Sequence, residues 1–281
     1  MKVSRIDIEK PFEEWQRLFV CSDFHIGNKG FNQKRLVDDL NDAVGIGARI
    51  LIIGDTMECI SVSDKRFQSS VIPKSMRSDY LINETVGKTI EVLAPFAANI
   101  DLITPGNHEA KFLKTTNFDP VKMLVDQLQT QYKSPVQYGS YHGFLQYVWK
   151  DHQHPKRTKV YTILHTHGPA KGSGGAKSKG VLEVSAMMAN WEYDLLIFGH
   201  NHYRWVVPDT KIGVTARGRK YSREIKHVRS GCYLDFYDQD ESSISTYDEV
   251  STSPPRVIGG AYVRFRFAGP NNEVLEHWAE A

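Results

Sequence analysis

Five times between Arg17 and His202 a short apolar run stops abruptly at Asp, His or Asn. Leu18-Phe19-Val20-Cys21 leads to Ser22-Asp23-Phe24-His25, and Ile50-Leu51-Ile52-Ile53 leads to Gly54-Asp55. Ile100-Asp101-Leu102-Ile103-Thr104 precedes Pro105-Gly106-Asn107-His108. Val160-Tyr161-Thr162-Ile163-Leu164 precedes His165-Thr166-His167-Gly168, and Leu195-Leu196-Ile197-Phe198 precedes Gly199-His200-Asn201-His202. Such runs, bounded by turn-forming residues, read as buried strands that deliver polar side chains to loops. Between the first three, Leu36, Val37, Leu40 and Val44 recur at helical spacing until Gly45 and Gly47, and a second helical segment spans about residues 80–97. A β-α-β-α-β order predicts a layered α/β fold with its chemistry at strand ends.

A chain of 281 residues that is 41% hydrophobic can bury one sizeable core. One domain over 1–281 is expected, with loop excursions at 59–80, 109–158 and 205–229. A net charge of +2 gives no whole-molecule reason to expect a nucleic acid or a membrane as partner, so any such argument must be local. Cys21, Cys59 and Cys232 are odd in number and lack thiolate-site spacing, which points to a reducing, cytoplasmic setting. The charged N-terminus lacks a secretory apolar stretch, and no segment reaches the roughly 18 apolar residues of a membrane span. Alternation in Ser243–Tyr247 and Ala261–Phe267 predicts antiparallel strands of a second sheet. Lys171-Gly172-Ser173-Gly174-Gly175-Ala176-Lys177 reads as a mobile loop beside the fourth polar cluster.

Each cluster alone has an ordinary reading. Asp23 and His25 could belong to a solvated turn, Gly54-Asp55 to any tight turn, and Asn107 could cap a helix. His200 and His202, two apart, point the same way in extended chain. Five coincidences at five strand ends are a different matter. Carboxylate, carboxamide and imidazole without thiolate suit Mn, Fe or Zn, and this many ligands need two ions.

In order, the motifs Asp-x-His, Gly-Asp-x-x-Asp/Glu, Gly-Asn-His-Asp/Glu, His and Gly-His-x-His make the stretch from Asp23 to His202 resemble the calcineurin-like metallophosphoesterase family. The resemblance implies an α/β fold of two mixed β-sheets sandwiched and flanked by helices. It implies that Asp23, His25 and His202 hold one divalent ion, that Asn107, a histidine of the fourth motif and His200 hold a second, and that Asp55 bridges them. Manganese is the first expectation, with Fe, Zn or Mg as alternatives. His108 is the implied acid. Both His165 and His167 are available to the fourth motif; the family's ligand commonly stands just before a glycine, which favours His167 and leaves His165 as a supporting or core residue. Glu58, closing the second motif, is expected to hydrogen-bond a neighbouring ligand or loop, and Cys59 to be a small buried hydrophobe. The implied reaction is attack on phosphorus by metal-activated water, without a covalent enzyme intermediate.

The substrate is less legible. Lys150, Lys156, Arg157 and Lys159 precede the fourth motif, Lys171, Lys177 and Lys179 follow it, and a basic segment from Arg204 to Arg229 follows the last. With Trp149, Trp205 and Tyr221 available for stacking, these favour a phosphodiesterase that is a nuclease on DNA or RNA. The alternatives are a phosphatase or pyrophosphatase of a small nucleotide or lipid-sugar substrate, and a non-catalytic scaffold that keeps the fold.

Overall fold

The computed structural model describes residues 1–60, 72, 73, 76, 81–150, 158–168, 189–235, 256–269 and 274–281. The segments Lys171–Lys177 and Ser243–Tyr247, the basic residues Lys156, Arg157 and Lys179, and most of 59–80 lie outside them. In chain order the elements begin with β1 (Lys2–Ile8), β2 (Gln16–Cys21), α1 (Gln33–Gly45), β3 (Arg49–Ile53), α2 (Leu81–Leu93) and a 3₁₀ turn (Ala94–Asn99). There follow β4 (Ile100–Thr104), α3 (Asn107–Thr116), α4 (Pro120–Tyr132), β5 (Gln137–Tyr138) and β6 (His142–Lys150). The remainder is β7 (Thr158–Thr166), β8 (Leu195–Phe198), β9 (Arg204–Val214), β10 (Lys220–Ser230), β11 (Ala261–Ala268) and β12 (Val274–Glu280). No helix among the described residues is long and apolar enough to cross a membrane.

The strands form two mixed six-stranded sheets, ordered β1-β6-β7-β8-β10-β9 and β12-β11-β2-β3-β4-β5. In the second, β2, β3, β4 and β5 run parallel, while β11 is antiparallel to β2. In the first, β7, β8 and β10 run parallel. The pleat divides the apolar residues between two layers. Leu18 and Val20 share the inter-sheet face with Leu51, Ile53 and Phe265 of their own sheet and meet Leu145, Tyr147 and Ile163 of the other, while Phe19 and Cys21 turn towards the helices. Central β3 and β4 are covered on both faces, which is why they read as continuous apolar runs. Truncating Leu51 to Ala would cost about 2–5 kcal/mol.

Local chemistry fixes the helices that cover β2, β3 and β4. Asn32 caps α1 by accepting from Arg35 N at 2.9 Å, and Leu36, Leu40 and Ala43 form the buried stripe. Asp119 caps α4 in the same way through Lys122 N, with Pro120 in its first turn. Asp101 is a charge buried between the sheets: from β4 it accepts from Arg49 Nε at 2.8 Å and from Tyr147 Oη at 2.5 Å.

Two expectations change. The described residues 109–150 fall largely in α3, α4, β5 and β6 rather than loop, because Val121, Leu124, Val125 and Leu128 recur at helical spacing and pack against β4, while 151–157 lie outside the described residues. Residues 205–229 are the β9–β10 hairpin, with Val214 opposite Lys220 at its far end.

Candidate metal centre

The sequence-predicted ligand set comes from both sheets. Asp23 and His25 follow β2, Asp55 follows β3, Asn107 and His108 open α3 just beyond β4, His167 follows β7, and His200 and His202 follow β8. All of these strands point their C-terminal ends at the same place, the position at which α/β sheets present their chemistry. Among the described residues, eight non-glycine residues have positive φ, and five of them are Asp23, His25, Asp55, His200 and His202. Left-handed backbone at non-glycine positions costs on the order of 1–3 kcal/mol each and is retained where the surroundings impose it. Glycines permit the closeness: a Cβ on Gly54, at φ +79°, would lie 2.5 Å from His167 Nδ1, and one on Gly106 would strike the Asp55 carboxylate.

Two groups of donor atoms share Asp55. In the first, Asp23 Oδ1 lies 3.4 Å from His202 Nε2 and 4.0 Å from His25 Nε2, and the two Nε2 atoms are 3.3 Å apart. In the second, His167 Nε2 lies 3.1 Å from Asp55 Oδ2 and 3.1 Å from Asn107 Oδ1, and His200 Nδ1 is 2.7 Å from the same carboxamide oxygen. Asp55 Oδ2 is also 3.9 Å from His25 Nε2, while its Oδ1 accepts from His108 N at 2.9 Å. Three groups here could each hold a metal ion: Asp23, His25 and His202; His25, Asp55 and His108; and Asp55, His167 and His200.

Whether these atoms fit a cation can be tested on His167. Its Nδ1 donates to the carbonyl of Ile53 at 2.8 Å, so in the neutral ring Nε2 carries a lone pair. That lone pair would face a carboxylate and a carboxamide oxygen, both acceptors, inside a fully buried pocket. Burial would lower the His167 pKa, but the charges of Asp55 and Asp23 outweigh it and drive it up to about 10. A positive charge is therefore required at Nε2, whether a proton or a metal. Asp23 supports the same conclusion: its buried Oδ1 makes no hydrogen bond among the described residues and faces only imidazole nitrogens. Burial would raise Asp23, yet the charges of His167 and His202 hold it at about 2. Asp55 is likewise held well below the usual carboxylate range, against burial, chiefly by His167 and His108. The residues fit divalent ions.

A surrounding layer orients these side chains. Glu58 Oε2 accepts from His25 Nδ1 at 3.0 Å and from Asn28 Nδ2 at 3.1 Å, and its Oε1 lies 3.3 Å from His108 Nδ1. A ligating histidine whose other nitrogen is held by a carboxylate is the usual arrangement at metal sites. His108 Nδ1 donates to the Glu58 carbonyl at 2.7 Å, and its ring meets that of His25 edge-on. Glu109 ties the loops together, accepting from Gly106 N at 2.9 Å, Met57 N at 2.9 Å and Asp55 N at 3.2 Å. Burial raises the Glu109 pKa, and the charge of Asp55 adds to it, reaching about 7. Ser22 Oγ bonds Asp23 Oδ2, which also accepts from His200 N at 3.0 Å.

His165 stays apart. It lies two residues before His167, on the inter-sheet face with Ile163, beside Gly143, and burial pushes its imidazole down to about 3. None of the three candidate groups includes it. Cys59 is buried, as expected of a small hydrophobe, and burial pushes its thiol up.

The aromatic and basic residues are distributed differently from the sequence expectation. Trp149 is fully buried against Phe265 and Phe267, so it is not available to a base. Arg223 pairs with Asp194 at 3.0 Å and Glu192 at 2.9 Å, and Arg229 is buried against the rings of Phe198 and Trp205. β9 leaves the site at Arg204 and runs 11 residues outward. At ~3.3 Å per residue, Arg217 and Arg219 beyond its end lie roughly 33 Å along the strand from His200 and His202. Adjacency in sequence does not become proximity when the chain leaves as an extended strand. Arg256 was not anticipated at all, and its Nη1 lies 3.1 Å from His202 Nδ1.

Two mixed sheets with helices on their flanks, and a histidine–carboxylate cluster at the strand ends, define the metallophosphoesterase fold. The calcineurin-like phosphoesterase family model matches residues 16–204, and the chain belongs to that family. No curated protein matches it in sequence. Among solved structures it is similar to a metallophosphoesterase from Sphaerobacter thermophilus, at 14% identity and TM-score 0.35, covering 95% of this chain and 89% of that one. It is also similar to zinc-complexed Vps29 from Entamoeba histolytica, at 12% identity and TM-score 0.33, covering 94% and 91%. A third likeness is GAP50 of Plasmodium, at 11% identity and TM-score 0.45, covering 91% and 82%.

Proposed function

We propose that this chain hydrolyses phosphodiesters at a centre of two divalent ions, manganese by first expectation, and that its substrate is a polynucleotide. The observation that supports hydrolysis most strongly is the buried His167 Nε2, which faces Asp55 and Asn107 and requires a cation there. Asp23, His25 and His202 would hold one ion, Asn107, His167 and His200 the other, and Asp55 would serve both. When bound, such a pair supplies Lewis acidity to the phosphoryl group and lowers the pKa of water at neutral pH.

The chain's own residues do the rest. Asp55 is held from both sides, by His108 N on Oδ1 and by the His167 ring on Oδ2, so it cannot rotate away from the shared position. Glu58 fixes His25 and lies beside His108. With Nδ1 committed to the Glu58 carbonyl, Nε2 is the His108 atom left to exchange a proton. His108 would thus protonate the leaving oxygen, a contribution of about 10² to 10⁴ in rate.

The polynucleotide reading is supported by the exposed Arg217, Arg219 and Lys220 at the end of the β9–β10 hairpin. At ~3.4 Å per nucleotide, contacts there fall about ten nucleotides from the cleaved bond. The pairing of Arg223 with Asp194 and Glu192 favours the second reading, a phosphatase of a small substrate, because it removes cations from the basic face nearer the site. Three substrates separate them: a bis-aryl phosphate, a mono-aryl phosphate, and single-stranded oligonucleotides of 5 and 25 residues. A polynucleotide diesterase cleaves the diester over the monoester and gains affinity with length, and replacing Arg217, Arg219 and Lys220 together by Ala removes that gain. Preference for the monoester, or no effect of length, overturns the polynucleotide reading.

A further inference from the structure

Arg256 is separated from the last ligand motif by 54 residues of sequence, yet it meets His202 on the side of the ring away from Asp23. The segment that carries it is anchored at the site. Gly259 N donates to Cys232 O at 3.0 Å, and the next residue, Tyr233, donates through its backbone N to Asp23 O at 3.0 Å. The guanidinium lies over the Tyr203 ring, with Cζ 5.2 Å from its centroid, and places Nη1 3.1 Å from His202 Nδ1.

A guanidinium only donates hydrogen bonds. The Nδ1 it meets must therefore supply a lone pair, and in the neutral ring the proton then sits on Nε2. Nε2 is the atom that faces Asp23 Oδ1 at 3.4 Å and His25 Nε2 at 3.3 Å, inside the first group of candidate ligands. A metal held there would need the Nε2 lone pair and would leave Nδ1 carrying the proton. Nη1–H and Nδ1–H would then oppose each other, and a fixed positive charge would stand one imidazole ring from a divalent ion. Both effects have the same sign.

We propose that Arg256 and the divalent ion at Asp23, His25 and His202 compete for His202, so that loading this position breaks the Nη1–Nδ1 contact and turns the guanidinium towards the phosphoryl group of the substrate. This rests on the two-ion reading above. It makes Arg256 a residue that weakens one ion position in the absence of substrate and stabilises the phosphate once it is bound. Because linkage is reciprocal, phosphate that draws Arg256 away must tighten that ion by the same factor.

The test is manganese titration of metal-free protein, followed by the electron paramagnetic resonance signal of free Mn²⁺, with wild type, Arg256→Gln and Arg256→Lys. Two ions of unequal affinity are expected in the wild type. Arg256→Gln should tighten the weaker one about tenfold, the scale of a lost hydrogen bond to a charged group, and leave the tighter one unchanged. Arg256→Lys keeps the charge and should tighten it less. Adding inorganic phosphate, which also coordinates the ions directly, should tighten the weaker ion by a larger factor in the wild type than in Arg256→Gln. If Mn²⁺ binds but Arg256→Gln leaves the weaker ion unchanged or weakens it, the competition is refuted while the metal centre stands. If no variant binds Mn²⁺, the two-ion reading itself fails. A crystal structure of manganese-loaded wild type decides independently of any substitution: the guanidinium should have left His202 Nδ1, and a contact still near 3.1 Å with both ions present overturns the proposal.

Discussion

Metal binding to this protein should release protons, and the structure sets how many and over which pH range. In the metal-free protein the His167 ring holds two protons at neutral pH, because Asp55 and Asp23 overcome the cost of burial and raise it to about 10. The proton on Nε2 occupies the place that faces Asp55 Oδ2 and Asn107 Oδ1. An ion bound there must displace it. Below about 10, apparent affinity for that ion should therefore rise with pH, about tenfold per pH unit for a single displaced proton, and level off above it. His25 is also raised, against burial, by Glu58. Without metal the same His167 proton contributes stability that is complete below about pH 6.5 and is lost as pH rises through about 10. Calorimetric manganese titration at pH 7.5 in two buffers of different ionisation enthalpy, such as HEPES and Tris, reads the release directly. We expect at least one proton per protein, falling by about one in His167→Gln. A binding enthalpy independent of buffer, with affinity constant from pH 6.5 to 8.5, would refute the reasoning.

Three further outcomes follow from the same geometry. Asp55→Ala should deplete both ions and Asp23→Ala mainly one, measured as metal content after gel filtration; full occupancy in Asp55→Ala would remove its shared role. Glu58→Gln leaves every candidate ligand in place but weakens the hold on His25 and His108, so metal affinity or kcat should fall about 10–100-fold; a kcat and affinity equal to wild type would make Glu58 incidental. His165→Ala should leave two ions bound, because its ring lies on the inter-sheet face beside Gly143 and outside the candidate groups, whereas His167→Ala should lose one.

Much of the site was legible because strand and chemistry are encoded side by side. A fully buried parallel strand must be apolar, so the residue at which polarity returns marks where the chain emerges, and at β2, β3, β4, β7 and β8 that residue is Asp, Asn or His. Glu58 belonged to a motif whose role depends only on its neighbour in space, and the structure places it on His25. Other parts left weaker signals. β6 alternates Gly143, Leu145, Tyr147 and Trp149 towards the core, but the basic residues that follow it in sequence, beginning with Lys150, made Trp149 look like a surface aromatic. β9 and β10 are half-solvated and carry many charges, so the hairpin read as a basic patch instead of a strand pair. Arg256 left no local signal, since what brings it to His202 is the return of the chain beside Cys232, and no motif surrounds it.

Stoichiometric reconstitution tests the central claim most directly. Metal-free protein should be inert towards a bis-aryl phosphate, and hydrolysis should rise with added Mn²⁺ and reach its plateau at two equivalents per chain. Hydrolysis that survives complete metal removal, or no hydrolysis of any phosphate ester with two ions demonstrably bound, would contradict the account.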